Sequence, residues 1–345
     1  MQKWIAIFVV WLLAAFTDPA AGGNATLTLM THDSFAVSQD VLKAFEQKNA
    51  LKLQILKSGD AGAALNQAIL SKNNPLADVF FGVDNTFMSR AMAADIFESY
   101  ASPLLQHIPA ALKLDPQNRL LPVDFGDVCL NYDRQWFVKH KLAPPQGLED
   151  LLKPEYQKLT VVQNPATSSP GLAFLLTSIG HFGRQGYLDF WRKLRANDVY
   201  VTNGWTDAYY GQFSRAKGGT RPIVVSYASS PAAEVYYSET PLTEAPTAAV
   251  VSPGSAFRQI EFAGVLKGTR HPDLARKLID FMLGPDFQKD IPLHMWVYPA
   301  VPTTPLPDVF TRYARTAEAP VTLTPATINQ GREGWIEAWT ETVLR

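Results

Sequence analysis

Asp78-Val79-Phe80-Phe81-Gly82-Val83 is a short apolar run closed by Asp84-Asn85. A run of this length, rich in β-branched and aromatic side chains and lacking polar alternation, reads as a strand buried on both faces. Helical patterns flank it. Ala63 to Ser71 places Leu65, Ala68 and Ile69 on one face, and Phe87 to Ile96 follows with a similar period. Further out, Thr26-Leu27-Thr28-Leu29-Met30 and Leu51 to Leu56 read as strands. Between them, Asp40 to Lys48 sets Val41, Leu42 and Phe45 at helical spacing. Strands alternating with helices predict an α/β unit, a parallel sheet covered on both faces.

The pattern restarts after Leu142-Ala143-Pro144-Pro145. Leu159 to Val162 and Pro222 to Tyr227 read as strands. Gly171 to Ile179, Tyr187 to Leu194 and a segment after Pro231 read as helices. This is a second α/β unit. The tail adds a strand over Ile260 to Val265. A helix over His271 to Leu283 follows, with Leu274, Leu278 and Phe281 as its apolar stripe. A last helix is capped by Thr324, begins with Pro325 and ends near Leu344.

With 345 residues the chain is long for one ordinary domain and suits two. It is 47% hydrophobic and 18% charged, with a formal charge of −1, which gives no electrostatic footprint for nucleic acid or a membrane surface. Lys3, an uncharged run from Trp4 to Phe16, and the small residues Ala20-Ala21-Gly22-Gly23 have the layout of a secretory signal. The run is shorter than the ~20 apolar residues a membrane span needs. Cleavage is expected near Ala21 or Gly22. Cys129 is the single cysteine, so no intrachain disulfide and no CxxC site can form. None stands just after the apolar run to carry a lipid.

Ligands of open α/β sheets bind beyond the carboxyl ends of the strands. Three carboxylates stand at such ends, Asp33, Asp60 and Asp84, where they could face a cation or serve as turn caps. Thr167-Ser168-Ser169-Pro170 and Ser229-Ser230-Pro231 each open a helix. They read either as ordinary serine caps or as seats for an anionic group at a helix N-terminus. Aromatic residues crowd the expected loops, with Trp205 in Asn203 to Tyr210, Trp296 in Met295 to Pro299, and Tyr227 closing a strand. Aromatic faces hold planar cations at roughly 0.5–2 kcal/mol each. The sequence contains no GxxxxGK[ST], HExxH or GxSxG motif, and its six histidines lack ligand spacing.

Taken in order, several stretches resemble the periplasmic thiamine-binding proteins of ABC transporters over nearly the whole mature length. They are Thr31-His32-Asp33-Ser34-Phe35, Ala77-Asp78-Val79 with Gly82 to Asn85, and Thr167 to Leu172. Val201 to Trp205, Ser226 to Pro231 and Trp296 to Pro299 complete the set. The resemblance implies an α/β, two-lobed type II periplasmic-binding-protein fold with crossing hinge strands near Asp124-Phe125-Gly126 and Phe257 to Phe262. It implies a signal peptide over 1–21, one lobe over 22–122 and 258–305, and a second over 123–257 and 306–345. Ligand contacts fall on Asp60, Ala61, Ser168, Ser169, Trp205, Tyr227, Ala228, Ser229, Ser230, Pro231 and Trp296; apart from the resemblance, the carboxylates Asp33 and Asp84 could also balance a cationic ligand's charge. Ala61 stands where relatives usually carry glycine, with Gly62 next to it. Ala233 replaces a common aromatic residue, which shifts stacking onto Trp205, Tyr227 and Trp296.

The implied function is capture of thiamine, thiamine monophosphate or thiamine diphosphate in the periplasm by a monomer. Delivery then follows to an ABC permease and its ATPase subunit, with no cofactor, no metal and no catalysis. A ferric-ion-binding protein of the same fold is the nearest rival, because Tyr209-Tyr210 and Tyr236-Tyr237 are adjacent pairs, although helical packing also accounts for them. A thiaminase-like enzyme would use Cys129, which sits in a segment that reads as a buried strand.

Overall fold

The computed structural model describes residues 25–345. The expected signal segment, 1–21, lies outside them. β1 (Ala25–Thr31), α1 (Gln39–Asn49), β2 (Leu51–Lys57), α2 (Ala61–Leu70), β3 (Val79–Asp84) and α3 (Met88–Ala93) form the first unit. β3 is buried at every position, as its unbroken apolar run requires. α3 is shorter than the Phe87 to Ile96 period predicts, because Asp95 takes a left-handed φ of 54° and ends the turn.

β4 (Leu121–Asp133) and α4 (Arg134–His140) lead into the second unit. It contains β5 (Thr160–Gln163), α5 (Ser169–Ala196), β6 (Tyr200–Thr202), α6 (Trp205–Asp207), β7 (Ile223–Tyr227), α7 (Ser230–Tyr236) and β8 (Thr247–Val250). The two helices predicted across 171–194 are one element broken at Gly183, whose φ of 73° and ψ of 170° are not helical. The chain returns through β9 (Phe257–Val265), then runs through α8 (Pro272–Leu283), α9 (Pro285–His294), β10 (Tyr298–Pro299), α10 (Asp308–Tyr313) and α11 (Pro325–Val343). The α8 stripe is centred on Ala275, Leu278, Ile279 and Met282, with Leu274 and Phe281 only half-buried at its flanks. Thr324 caps α11 as predicted, its hydroxyl accepting from the Thr327 N–H at 3.1 Å.

All ten strands form one curled sheet with the order β2-β1-β3-β9-β4-β7-β5-β6, and β8 and β10 both pair with β4. β2-β1-β3 and β7-β5-β6 are parallel groups, while β9 and β4 between them run antiparallel to their neighbours. β4 exchanges partners along its length. Leu121 to Val128 pairs with β9, and Val128 to Asp133 pairs with β7 and β8. β9 and β4 thus lie where the crossing strands were expected. One large apolar core runs through the sheet and its covering helices. Cys129 is fully buried in β4, where burial pushes its thiol upward and Asp127 adds to the effect. No helix among the described residues is long and apolar enough to cross a membrane.

Candidate functional site

A cavity of about 300 Å³ lies where the carboxyl ends of both parallel groups converge. Every strand of the two groups except β3 contributes to it at its carboxyl end. Asp33 follows β1, Asp60 and Ala61 follow β2, Ser169 follows β5, Trp205 follows β6, and Tyr227 and Ser230 close β7. Trp296 joins them from the loop before β10.

Asp60 is the N-cap of α2, and its two oxygens accept backbone N–H groups from opposite sides of the cavity. Oδ1 takes Ala61 at 2.7 Å and Oδ2 takes Trp205 at 2.8 Å. Burial raises its carboxyl above the usual range, against those two bonds. Next to it, the N–H of Gly62 donates to the Thr167 carbonyl at 3.1 Å. A Cβ on Gly62 would stand 2.8 Å from that oxygen, so only glycine permits the approach. Ala61 itself faces the cavity, and Gly62 serves this second bridge instead of the lining.

The aromatic wall is built in layers. Trp205 stacks on Tyr209 at 5.0 Å between centroids and meets Tyr227 edge-on at 6.5 Å. Its indole Nε1 donates to Ser226 Oγ at 2.9 Å, and Ser226 pairs with Ser230 at 2.8 Å. A chain of hydroxyls therefore fixes the ring's orientation. Tyr227 packs over Gly126, where a Cβ would stand 2.9 Å from its Cδ1. Across the cavity, Trp296 has a φ of 58°, rare for a bulky residue. Its carbonyl accepts Ser229 Oγ, and its ring stacks near Phe310 and meets Tyr237 at 5.5 Å.

Ser168 and Ser229 stand at the N-cap positions of α5 and α7, but their hydroxyls do not cap. Ser169 Oγ donates to Asp84, and Ser229 and Ser230 bond as described. Ser168, Ala228, Ser229, Pro231 and Asp84 are buried behind the lining, whereas Asp33 lines it from an exposed position. Burial lifts the Asp84 carboxyl to about 7, opposed by bonds from Thr86. The tyrosine pairs also differ from the packing expectation. Tyr209 is buried and bonds Glu234 at 2.8 Å, but Tyr210, Tyr236 and Tyr237 are exposed, and Tyr210 and Tyr237 line the cavity.

Sequence reasoning missed Gln259, Glu261 and His32. Gln259 and Glu261 project from β9 at period two, so a polar face inside an otherwise buried strand was the available signal. Glu261 Oε1 lies 3.3 Å from His32 Nε2, and Gln259 Oε1 accepts from the Tyr227 hydroxyl at 3.4 Å. Chemically, the cavity offers flat π-faces, buried carboxylates and hydroxyls. That set suits a planar, positively charged molecule with a polar tail.

The chain belongs to the bacterial extracellular solute-binding protein family, whose description matches residues 74–317. Families of this kind bind a small-molecule ligand and work with ABC transporters. Among its relatives are the thiamine-binding periplasmic proteins of Salmonella typhimurium, 32% identical, and Escherichia coli, 31% identical, each aligned over 100% of both chains. A solved periplasmic thiamin binding protein is 30% identical with a TM-score of 0.82, covering 93% of this chain and 97% of that one. Iron-bound HitA from Pseudomonas aeruginosa shares the two-lobed fold at 20% identity and a TM-score of 0.72, over 92% of this chain and 99% of its own.

Proposed function

We propose that the protein captures thiamine or a thiamine phosphate in the periplasm and delivers it to an ABC permease driven by its ATPase subunit. The observation that carries this reading is the aromatic enclosure. Trp205, Tyr227 and Trp296 surround one cavity whose edges hold Asp60, Ser169 and Ser230. The aminopyrimidine and thiazolium rings match the π-faces, each contact contributing roughly 0.5–2 kcal/mol. The alcohol or phosphate tail goes toward Ser169 and Ser230. Asp60, Ala61, Trp205, Tyr227, Ser230 and Trp296 contact the ligand. Ser168, Ala228, Ser229, Pro231 and Asp84 shape the site from behind, and Asp33 guards its mouth.

The residue division proposed for the lobes is 22–122 with 258–305 and 123–257 with 306–345. Closure brings Asp60 and Gly62 onto Trp205 and Thr167. The protein acts as a monomer, is exported by its first residues without a lipid anchor, and needs no cofactor. It is a carrier that leaves the vitamin intact, a reading supported by the burial of Cys129.

Titration of intrinsic tryptophan fluorescence with thiamine, its monophosphate and its diphosphate tests this. Quenching by at least one form, lost in Trp205→Ala, is expected. An unchanged signal with every form, together with a coloured complex on adding ferric ion, would replace this reading with iron binding. Disappearance of thiamine during incubation with a free thiol, abolished in Cys129→Ala, would make the protein an enzyme.

A further inference from the structure

The cavity contains a charge arrangement that the aromatic enclosure does not explain. Glu261 is central to it. In the sheet register Glu261 stands opposite Asp84 of β3 on one side and Asp124 of β4 on the other. Three carboxylates thus lie abreast on adjacent strands beneath the aromatic walls. Asp124 is 1% exposed, and neither of its oxygens meets a hydrogen-bond donor. Burial and the neighbouring Glu261 hold its carboxyl well above the usual range.

Of the three, only Glu261 reaches the cavity lining. Asp60, a half-buried carboxylate there, already has both oxygens engaged by backbone N–H groups. Asp33 lines the mouth in contact with solvent, where its charge is screened. Among the described residues the only cation within ion-pair reach of Glu261 is His32, which also lines the cavity. The groups facing His32 are Glu261 from β9, Asp60 from the start of α2, Phe81 from β3, and Asp33 and Ser34 on its own loop. Burial works against its charge, but Glu261, Asp60 and Asp33 outweigh burial, so its proton is held more tightly than usual.

We propose that Glu261 is the counter-charge by which this site selects a cationic ligand, and that the arriving cation takes the place of a proton on His32. The inference rests on the thiamine reading and adds the residue that reads the thiazolium charge. With the ligand cation beside Glu261, the field that holds the His32 proton is neutralised. The imidazolium N–H gives its proton to solvent and the ring becomes neutral. The total charge in the cavity is unchanged by the exchange, so no second buried cation has to be accommodated. A neutral ligand of the same shape triggers no release.

Isothermal titration calorimetry of the full mature chain tests this with thiamine and with its neutral isostere, in which carbon replaces the charged ring nitrogen. Each is measured in two buffers of different ionisation heat near pH 6.5. The wild-type protein is expected to prefer thiamine by roughly tenfold or more. Its thiamine heat should differ between buffers by a fraction of one proton released, and the isostere's heat should not. Glu261→Gln, checked for folding by circular dichroism, should lose both the preference and the buffer dependence. The wild-type preference should persist in about 0.5 M salt, because a buried pair is little screened.

Thiamine heats that are identical in the two buffers, an unaltered preference in Glu261→Gln, or a preference that collapses in salt would each overturn the proposal while leaving thiamine as the ligand. The wild-type buffer and salt arms decide the matter even if Glu261→Gln does not fold. No heat with thiamine in either buffer would remove the ligand reading itself, and this inference with it.

Discussion

The carboxylate of Asp60 accepts the backbone N–H of Trp205 at 2.8 Å, joining residues 145 positions apart on opposite sides of the cavity. One oxygen starts a helix and the other positions the loop that carries the main stacking ring. Asp60 therefore couples approach of the two sides to placement of the aromatic wall.

Replacing Asp60 by Asn removes the charge from this coupling. Hydrogen bonds to a charged acceptor contribute about 1.5–3 kcal/mol. Asp60→Asn should weaken ligand binding by roughly tenfold or more. At saturating ligand, small-angle scattering should give a larger radius of gyration than for the wild-type protein. Equal affinity and equal dimensions would show that the bond is incidental.

Tyr227 depends on the bare backbone at Gly126. In Gly126→Ala the new methyl group would sit 2.9 Å from the Tyr227 ring and 3.1 Å from Val297. Both neighbours line the cavity, so the ring is pushed into the ligand's space. Overpacking of this kind costs about 1–3 kcal/mol of stability. Urea unfolding should show that loss, and fluorescence titration should show weaker binding.

Stability should fall as pH rises through neutrality. The Asp84 carboxyl is lifted to about 7, far above its unfolded value, and His32 is also raised. Both groups hold protons in the folded state that the unfolded chain gives up at lower pH. Their contribution is thus present in mild acid and is lost as pH climbs toward and past 7. Thermal melts from pH 5 to pH 8 should show the midpoint dropping, and Asp84→Asn should flatten the Asp84 share of that slope. A midpoint that rises with pH would contradict it.

Cys129 should be silent toward thiol reagents in the folded protein. Its side chain is fully buried, with the thiol pushed upward by burial and by Asp127. Ellman's reagent should react only on addition of denaturant, and Cys129→Ala should bind ligand as the parent does. Prompt labelling of the native protein would refute this.

Much of this architecture was legible because it follows from local periodicity. The apolar run at Val79 to Val83 and the alternation in β1 needed no tertiary information, and strand ends pointed to Asp60, Trp205 and Tyr227. What escaped was set by long-range partners. Ser169 looked like a cap, but a buried carboxylate from β3 claimed its hydroxyl. Asp84 looked like a ligand-facing charge, but the α5 start covers it. Glu261 sat unnoticed inside a strand, since only pairing with β3 and β4 reveals that its face opens on the cavity. For Tyr210 and Tyr237 the sequence leaves packing open beside a ligand role, because helix period alone cannot distinguish a core face from one that borders a hollow.

The bridge from Gly62 to Thr167 is made of main chain on both sides. Such a contact reads no side chain and demands only that position 62 stay bare. Around it, substitutions can reshape the walls for a different guest without unfastening the two halves. One hydrogen in place of a methyl thus leaves the jaw intact while its bite is free to change.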